Sequence, residues 1–302
     1  MQPRAFPIVY VFMSARWLPV CILFVATSAI GQIQVELKFP RLQYIAYEPV
    51  VANLTITNLA GRDVDLHDAE GQAWFSFEIT GDEGRSIAPI SNTAAELLKI
   101  SAGQRVTRKI NLSPLFSVHD FGTYHARAHV YFADLNKFYY SQPKVFEVTD
   151  ARPIWQKTVG VPEGNRGSGN VRTYSLMTNR FPDHTSLYVR VEDKETGAVY
   201  ATYSLGQIIA FDQPQAEFDR SNQLHLLYCA APRNWGYARI GLNGELLSRA
   251  SLAETKTRPR LVHADDGVVK IAGGMMETPA TQATRANAPK LSARPPNPPK
   301  EE

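Results

Sequence analysis

An all-β protein is predicted by three observations. Nearly every periodic stretch between Gln32 and Gly273 alternates apolar and polar residues with period two, the pattern of half-buried strands. These stretches are short and are separated by turn residues. No segment carries a convincing amphipathic-helix pattern, and a single helical turn is expected near "NTAAELLKI". With 302 residues and 44% hydrophobic content, the chain can fill one large core or two ordinary ones.

In the first half the strand candidates are "QVELKF", "VVANLTITN", "DVDLHD", "WFSFEIT", "RVTRKINL", "TYHARAHVYF" and "KVFEVT". Short strands spaced in this way suit an antiparallel β-sandwich. In "WFSFEIT", Phe75, Phe77 and Ile79 share the inward face and Trp74 falls on the other. Ahead of the sixth strand, Asp120, Gly122 and Tyr124 form D-x-G-x-Y. This resembles the tyrosine-corner motif of immunoglobulin-like domains, in which the tyrosine hydroxyl bonds back to the backbone and the glycine permits the turn. The resemblance implies an Ig-like sandwich over residues 32–150, with Asp120, Gly122 and Tyr124 structural. Antibody-type domains carry a cysteine two residues after the tyrosine, where this chain has Ala126, so the resemblance is to disulfide-free bacterial Ig-like sandwiches.

The second half, residues 151–274, contains a weak internal repeat. "TSLYVRVEDKETGAVYATYSLGQII" aligns without gaps with "NQLHLLYCAAPRNWGYARIGLNGEL", pairing Leu187 with Leu224, Val189 with Leu226, Tyr200 with Tyr237, Ala201 with Ala238 and Leu205 with Leu242. "ADDGVVKIAGG" starts a third copy, and Asn243-Gly244 suits a type I′ hairpin turn. A unit of short strands repeated in this way resembles a β-propeller blade, but the segment is too short for a closed ring. The expected forms are an open, partial-propeller-like β-repeat or a second small sandwich. Residues 275–302 are rich in proline and poor in large apolar side chains, which predicts a disordered tail.

Residues 1–31 have the layout of a signal peptide: Arg4 and Arg16, an apolar run from Trp17 to Ile30, and small residues Ala29 and Gly31 before the expected cleavage point. The run is short for a membrane span, so an uncleaved anchor is the lesser reading. Val20 before Cys21 argues against a lipoprotein anchor. Cleavage would remove two arginines and no acid, leaving a nearly neutral chain with Cys229 as its one cysteine. That predicts export without an internal disulfide, no general attraction to nucleic acid, and membrane contact only through an uncleaved leader.

No metalloprotease, nucleophile-elbow or phosphate-loop motif is present. His125, Arg127, His129 and Tyr131 share one strand face, but His125 and His129 lie roughly 13 Å apart along it, too far to share an ion. No metal and no cofactor is expected, and this face reads as solvated or partner-binding. Asp212, Asp219, Asp265 and Asp266 fall at turns, where aspartate serves the backbone. Trp235, in the polar stretch "APRNWG", is the ring expected to be most exposed, with Tyr237 and Tyr200 as neighbours for stacking. The leading expectation is an exported, non-catalytic structural or protein-interaction protein with a protein or cell-surface partner. A polysaccharide-binding module using those rings is the alternative, and a propeller-like hydrolase is the third reading.

Overall fold

The structure, a computed structural model, describes residues 32–277 except 70, 92–95, 166, 210 and 211. The expected leader, residues 1–31, and the expected tail beyond residue 277 lie outside the described residues. The protein is nearly all β, and its sheets are mostly antiparallel. Among the described residues no helix is long and apolar enough to cross a membrane.

The first half contains β1 (Ile33–Lys38), β2 (Gln43–Ile45), β3 (Val51–Asn58), β4 (Val64–Leu66), β5 (Phe75–Thr80), β6 (Leu98–Ile100), β7 (Arg105–Asn111), β8 (Gly122–Phe132), β9 (Lys137–Tyr140) and β10 (Lys144–Thr149). One sheet runs β1-β3-β7 and a second β2-β10-β8-β5, with β9 also on β8. β2 joins β10 in parallel, and β4 and β6 form a separate pair. Alternate residues of both sheets, among them Val35, Leu37, Leu54 and Ile56 opposite Ile79, Ala126, Val130 and Phe146, enter one core. This is the period-two pattern expressed as a two-layer sandwich.

The helical turn expected near "NTAAELLKI" falls largely on residues 92–95, which lie outside the described residues; the end of that stretch forms β6, with Leu98 and Ile100 inward. Two other first-half expectations are corrected. Trp74 and Tyr131, assigned to the solvent-facing side, are both buried. The Tyr131 amide donates to the Trp74 carbonyl at 2.7 Å, where Trp74 packs on Phe75 and Tyr131 on Phe138 of β9, so strict alternation ends there.

The second half contains β11 (Arg152–Gly160), β12 (Val171–Arg180), β13 (Thr185–Asp193), β14 (Val199–Gln207), β15 (Gln215–Phe218), β16 (Leu224–Ala231), β17 (Asn234–Ile240), β18 (Leu246–Ala253), β19 (Arg260–His263), β20 (Val269–Ala272) and β21 (Met275–Met276). Strands β11 to β14 form one four-stranded meander; β15 to β18 form the next, extended by β21, and β19-β20 is a hairpin. Met275 and Met276, at the expected start of the tail, are thus paired with β18.

These units stack in sequence order. Leu187, Val189 and Leu205 of the first meander share a core with Leu224, Leu226 and Ala238 of the second. The opposite face of the second meander, through Leu227, Cys229, Trp235 and Leu252, packs against Leu261 and Ile271 of the hairpin. The repeat therefore places Leu187 with Leu224 and Val189 with Leu226 in one core, but Leu242 lies in a turn whereas Leu205 is on a strand. The Asn243-Gly244 turn differs from type I′. Gly244 has φ +82°, but Asn243 is not among the positive-φ residues, and the Gly244 amide bonds the Gly241 carbonyl while Gly241 bonds Glu245. This is a three-residue connection closed by a glycine bulge. A Cβ on Gly244 would collide with the Ala201 Cβ of β14, so the turn tip requires glycine.

The two halves meet at β2. Ile45 packs with Ala151, Met177 and Tyr188. Beneath it the Arg41 guanidinium pairs with the buried Glu48 carboxylate and donates to the Tyr188 hydroxyl at 3.0 Å, and Arg190 donates to the Ala46 carbonyl at 2.8 Å. Burial raises the Glu48 pKa, with Arg41 acting against that shift.

Three stability changes follow. Tyr124 donates its O–H to the Asp120 carbonyl at 2.8 Å, so Tyr124→Phe should cost about 1 kcal/mol in urea unfolding. Gly122→Ala should cost more, because φ is +149° and the new Cβ would meet Asp82 Oδ2 at 2.5 Å. Glu48→Ala leaves Arg41 without its carboxylate and should lower stability by about 3 kcal/mol in the same assay.

Candidate functional site

The first strands of the three stacked units, β11, β15 and β19, begin side by side, and each is led by proline: Arg152-Pro153, Gln213-Pro214 and Arg258-Pro259. Proline suits these positions because a sheet edge leaves its missing N–H without a strand partner. Between the first and second units lies a cleft of about 510 Å³. Arg152, Pro153, Ile154 and Trp155 form one wall, and Ile208, Asp212, Gln213 and Pro214 the other. Between the second unit and the hairpin lies another of about 710 Å³, walled by Gln215, Arg258, Pro259 and Arg260.

The Arg258 guanidinium reaches both carboxylate oxygens of Asp212, at 2.6 and 2.5 Å, and thereby ties the wall of one cleft to the wall of the other. Gln215 Oε1 accepts from the Leu261 amide at 2.8 Å and fixes the second cleft's floor. Both clefts fall in the size range of small-ligand or peptide sites. A bulge between Pro153 and Trp155 swings Ile154 outward, leaving it exposed. Three of the chain's six Arg/Gln-Pro dipeptides border this groove, at unequal spacing that falls outside the gapless repeat.

Trp235, expected to be exposed, is 2% exposed. The connection between β16 and β17 is only Pro232-Arg233, so Trp235 already lies on β17 and faces the hairpin. Its indole N–H donates to Glu254 at 3.1 Å and Arg258 lies over its ring at 4.5 Å. Tyr237 is half-buried, with its hydroxyl 2.8 Å from His225 Nδ1; His225 Nε2 lies 3.2 Å from Asp219. Burial raises the Tyr237 pKa. Tyr200 is exposed, but the guanidinium of buried Arg172, paired with Asp193, lies over its ring at 4.3 Å. Tyr200 sits in a different sheet from Trp235 and Tyr237, so the three form no common platform.

On β8 the structure places His125, Arg127 and His129 on one face, and Tyr131, on the same face, is buried there beneath Phe138 of β9. Arg127 lies over the ring of Tyr140 at 4.4 Å, and His129 Nε2 lies 3.4 Å from Glu78. Glu78, Thr80, His125, Arg127 and Pro143 outline a shallow hollow of about 310 Å³. The Asp120 carbonyl accepts from the Tyr124 hydroxyl, while its own carboxylate remains exposed.

The aspartates considered for catalysis are committed separately. Asp212 pairs with Arg258, Asp219 accepts from the amides of Ser221 and Gln223, and Asp266 accepts from the Val268 amide. Burial raises the Cys229 thiol pKa, and Asp212 adds to the shift. No protein-family model matches the chain, and no curated protein resembles it significantly.

Trp235→Ala should therefore reduce stability by about 3 kcal/mol in chemical denaturation, as removal of a buried ring does. Burial lowers the His129 pKa, with Glu78 opposing it. An imidazole depressed in the folded state contributes stability that is present above its unfolded value, about 6.5, and is lost as pH falls through the folded value. Stability measured from pH 8 down to about pH 5 should fall less steeply in His129→Gln than in the parent.

Proposed function

We propose that the protein is an exported, non-catalytic interaction protein, an Ig-like sandwich joined to an open stack of blade-like β units, and that it engages a protein or cell-surface partner. The observation carrying this reading is the groove along the leading ends of β11, β15 and β19, where three successive units contribute to two adjoining clefts. The tyrosine-corner hydrogen bond supports the Ig-like assignment, and the two stacked meanders followed by a hairpin support the blade-like one. The polysaccharide alternative loses support because Trp235 is buried and Arg172 occupies a face of Tyr200.

The reading is tested in cells that express the full chain. A photo-crosslinking amino acid at Ile154 should give a discrete adduct, and one at exposed Leu59 on the sandwich should not. Absence of an Ile154 adduct overturns the groove as the contact surface. Mass spectrometry of the mature protein should find Gln32 at its N-terminus. Retention of residues 1–31 in a cytoplasmic fraction overturns export.

A further inference from the structure

Charge in the groove is unbalanced although the chain as a whole is close to neutral. Its walls carry Arg152, Arg258 and Arg260 against one acid, Asp212. Asp212 is already neutralised by Arg258. Among the described residues Arg152 and Arg260 have no ion-pair partner, and both are exposed. The groove also has a free backbone edge. β11 is the terminal strand of its sheet, nine residues long, with β12 on one side and, among the described residues, no strand on the other. Apart from Pro153, which has no N–H, and the Gly160 carbonyl, which accepts from Asn222 Nδ2 at 2.8 Å, such an edge presents unpaired N–H and C=O groups that another extended chain can complete.

We propose that the groove binds an extended acidic peptide segment, which adds as a strand to the free edge of β11. It sets carboxylates against Arg152 and Arg260 and an apolar side chain against Ile154. The inference rests on the interaction reading above and specifies its partner's chemistry. A small free anion does not suit the site, because Arg152 and Arg260 belong to different clefts separated by the Asp212–Arg258 pair. A single-stranded nucleic acid is disfavoured because it binds through open ring faces. Trp155, the ring in the walls, is half-buried and stacked with Phe218 at 6.2 Å. The exposed edge and Ile154 instead match a peptide, whose backbone supplies hydrogen bonds and whose alternate side chains can be acidic and apolar.

The test uses fluorescence anisotropy with the full chain and labelled peptides of about ten residues. The probes are an alternating Glu-Val peptide, the Lys-Val counterpart, and a Glu-Val peptide N-methylated at alternate residues; inorganic phosphate and oligothymidylate serve as competitors. The Glu-Val peptide should bind, and Arg152→Glu with Arg260→Glu should weaken it by at least about tenfold. Lys109→Glu, on exposed β7, should change affinity by less than about twofold. N-methylation should abolish binding while leaving charge unchanged, and raising salt should weaken the intact complex. Equal binding of Lys-Val, insensitivity to the double reversal, unaltered binding of the N-methylated probe, or displacement by phosphate or oligothymidylate would each overturn the inference. An Ile154 adduct in cells without acidic-peptide binding would remove this inference alone and leave the interaction reading standing.

Discussion

The second half of the protein is organised by one requirement: the central meander, β15 to β18, is apolar on both faces and so must be covered twice. Leu224, Leu226 and Tyr228 look toward the first meander, and Leu227, Cys229 and Trp235 toward the hairpin. A strand with buried side chains on both faces is stable only between two layers. Satisfying that demand with consecutive chain segments stacks three units in sequence order. The stacking aligns the starts of β11, β15 and β19, and the groove is the space between those starts. The site is thus a by-product of the core: its walls are held by the packing of residues that never touch its contents.

Much of the first half was legible in the sequence because its sheets have one wet face. Where a strand contacts core on one side and water on the other, apolar and polar residues must alternate, and Ile33, Val35 and Leu37 do so visibly. Legibility failed where the second face was also covered. Tyr131 and Trp74 sit where β9 and a neighbouring ring close over the sheet, which the local pattern cannot reveal. Trp235 was misplaced for a related reason. Polar neighbours suggested a loop, but the turn occupies only Pro232 and Arg233, and the latter adopts φ +60°.

The groove was the least legible part. Its walls come from segments distant in sequence, and what marks it locally is a basic or amide residue followed by proline at the head of each unit. Proline there is first a statement about strand edges, and only the three-dimensional convergence turns it into one about a surface. Arginine tells a similar story. Arg41, Arg127, Arg172 and Arg258 each lie within 4.5 Å of an aromatic ring, at Tyr44, Tyr140, Tyr200 and Trp235. Rings that look available in the sequence are capped by guanidinium groups; Arg172 holds its charge buried against Asp193, and Arg258 is half exposed and paired with Asp212.

The direct passage from β10 to β11 has a mechanical consequence. Thr149 ends one strand, Arg152 begins the other, and Ala151 between them is buried at the junction. A load applied to the end of β11 is therefore delivered along the axis of β10. There it meets the whole ladder shared with β8 in shear, so that the hydrogen bonds resist together instead of opening one at a time. The Arg41–Glu48 pair and the Arg190 contact brace the same joint from the side. Tension on the groove's first strand would thus be taken up by the sandwich's own hydrogen-bond ladder.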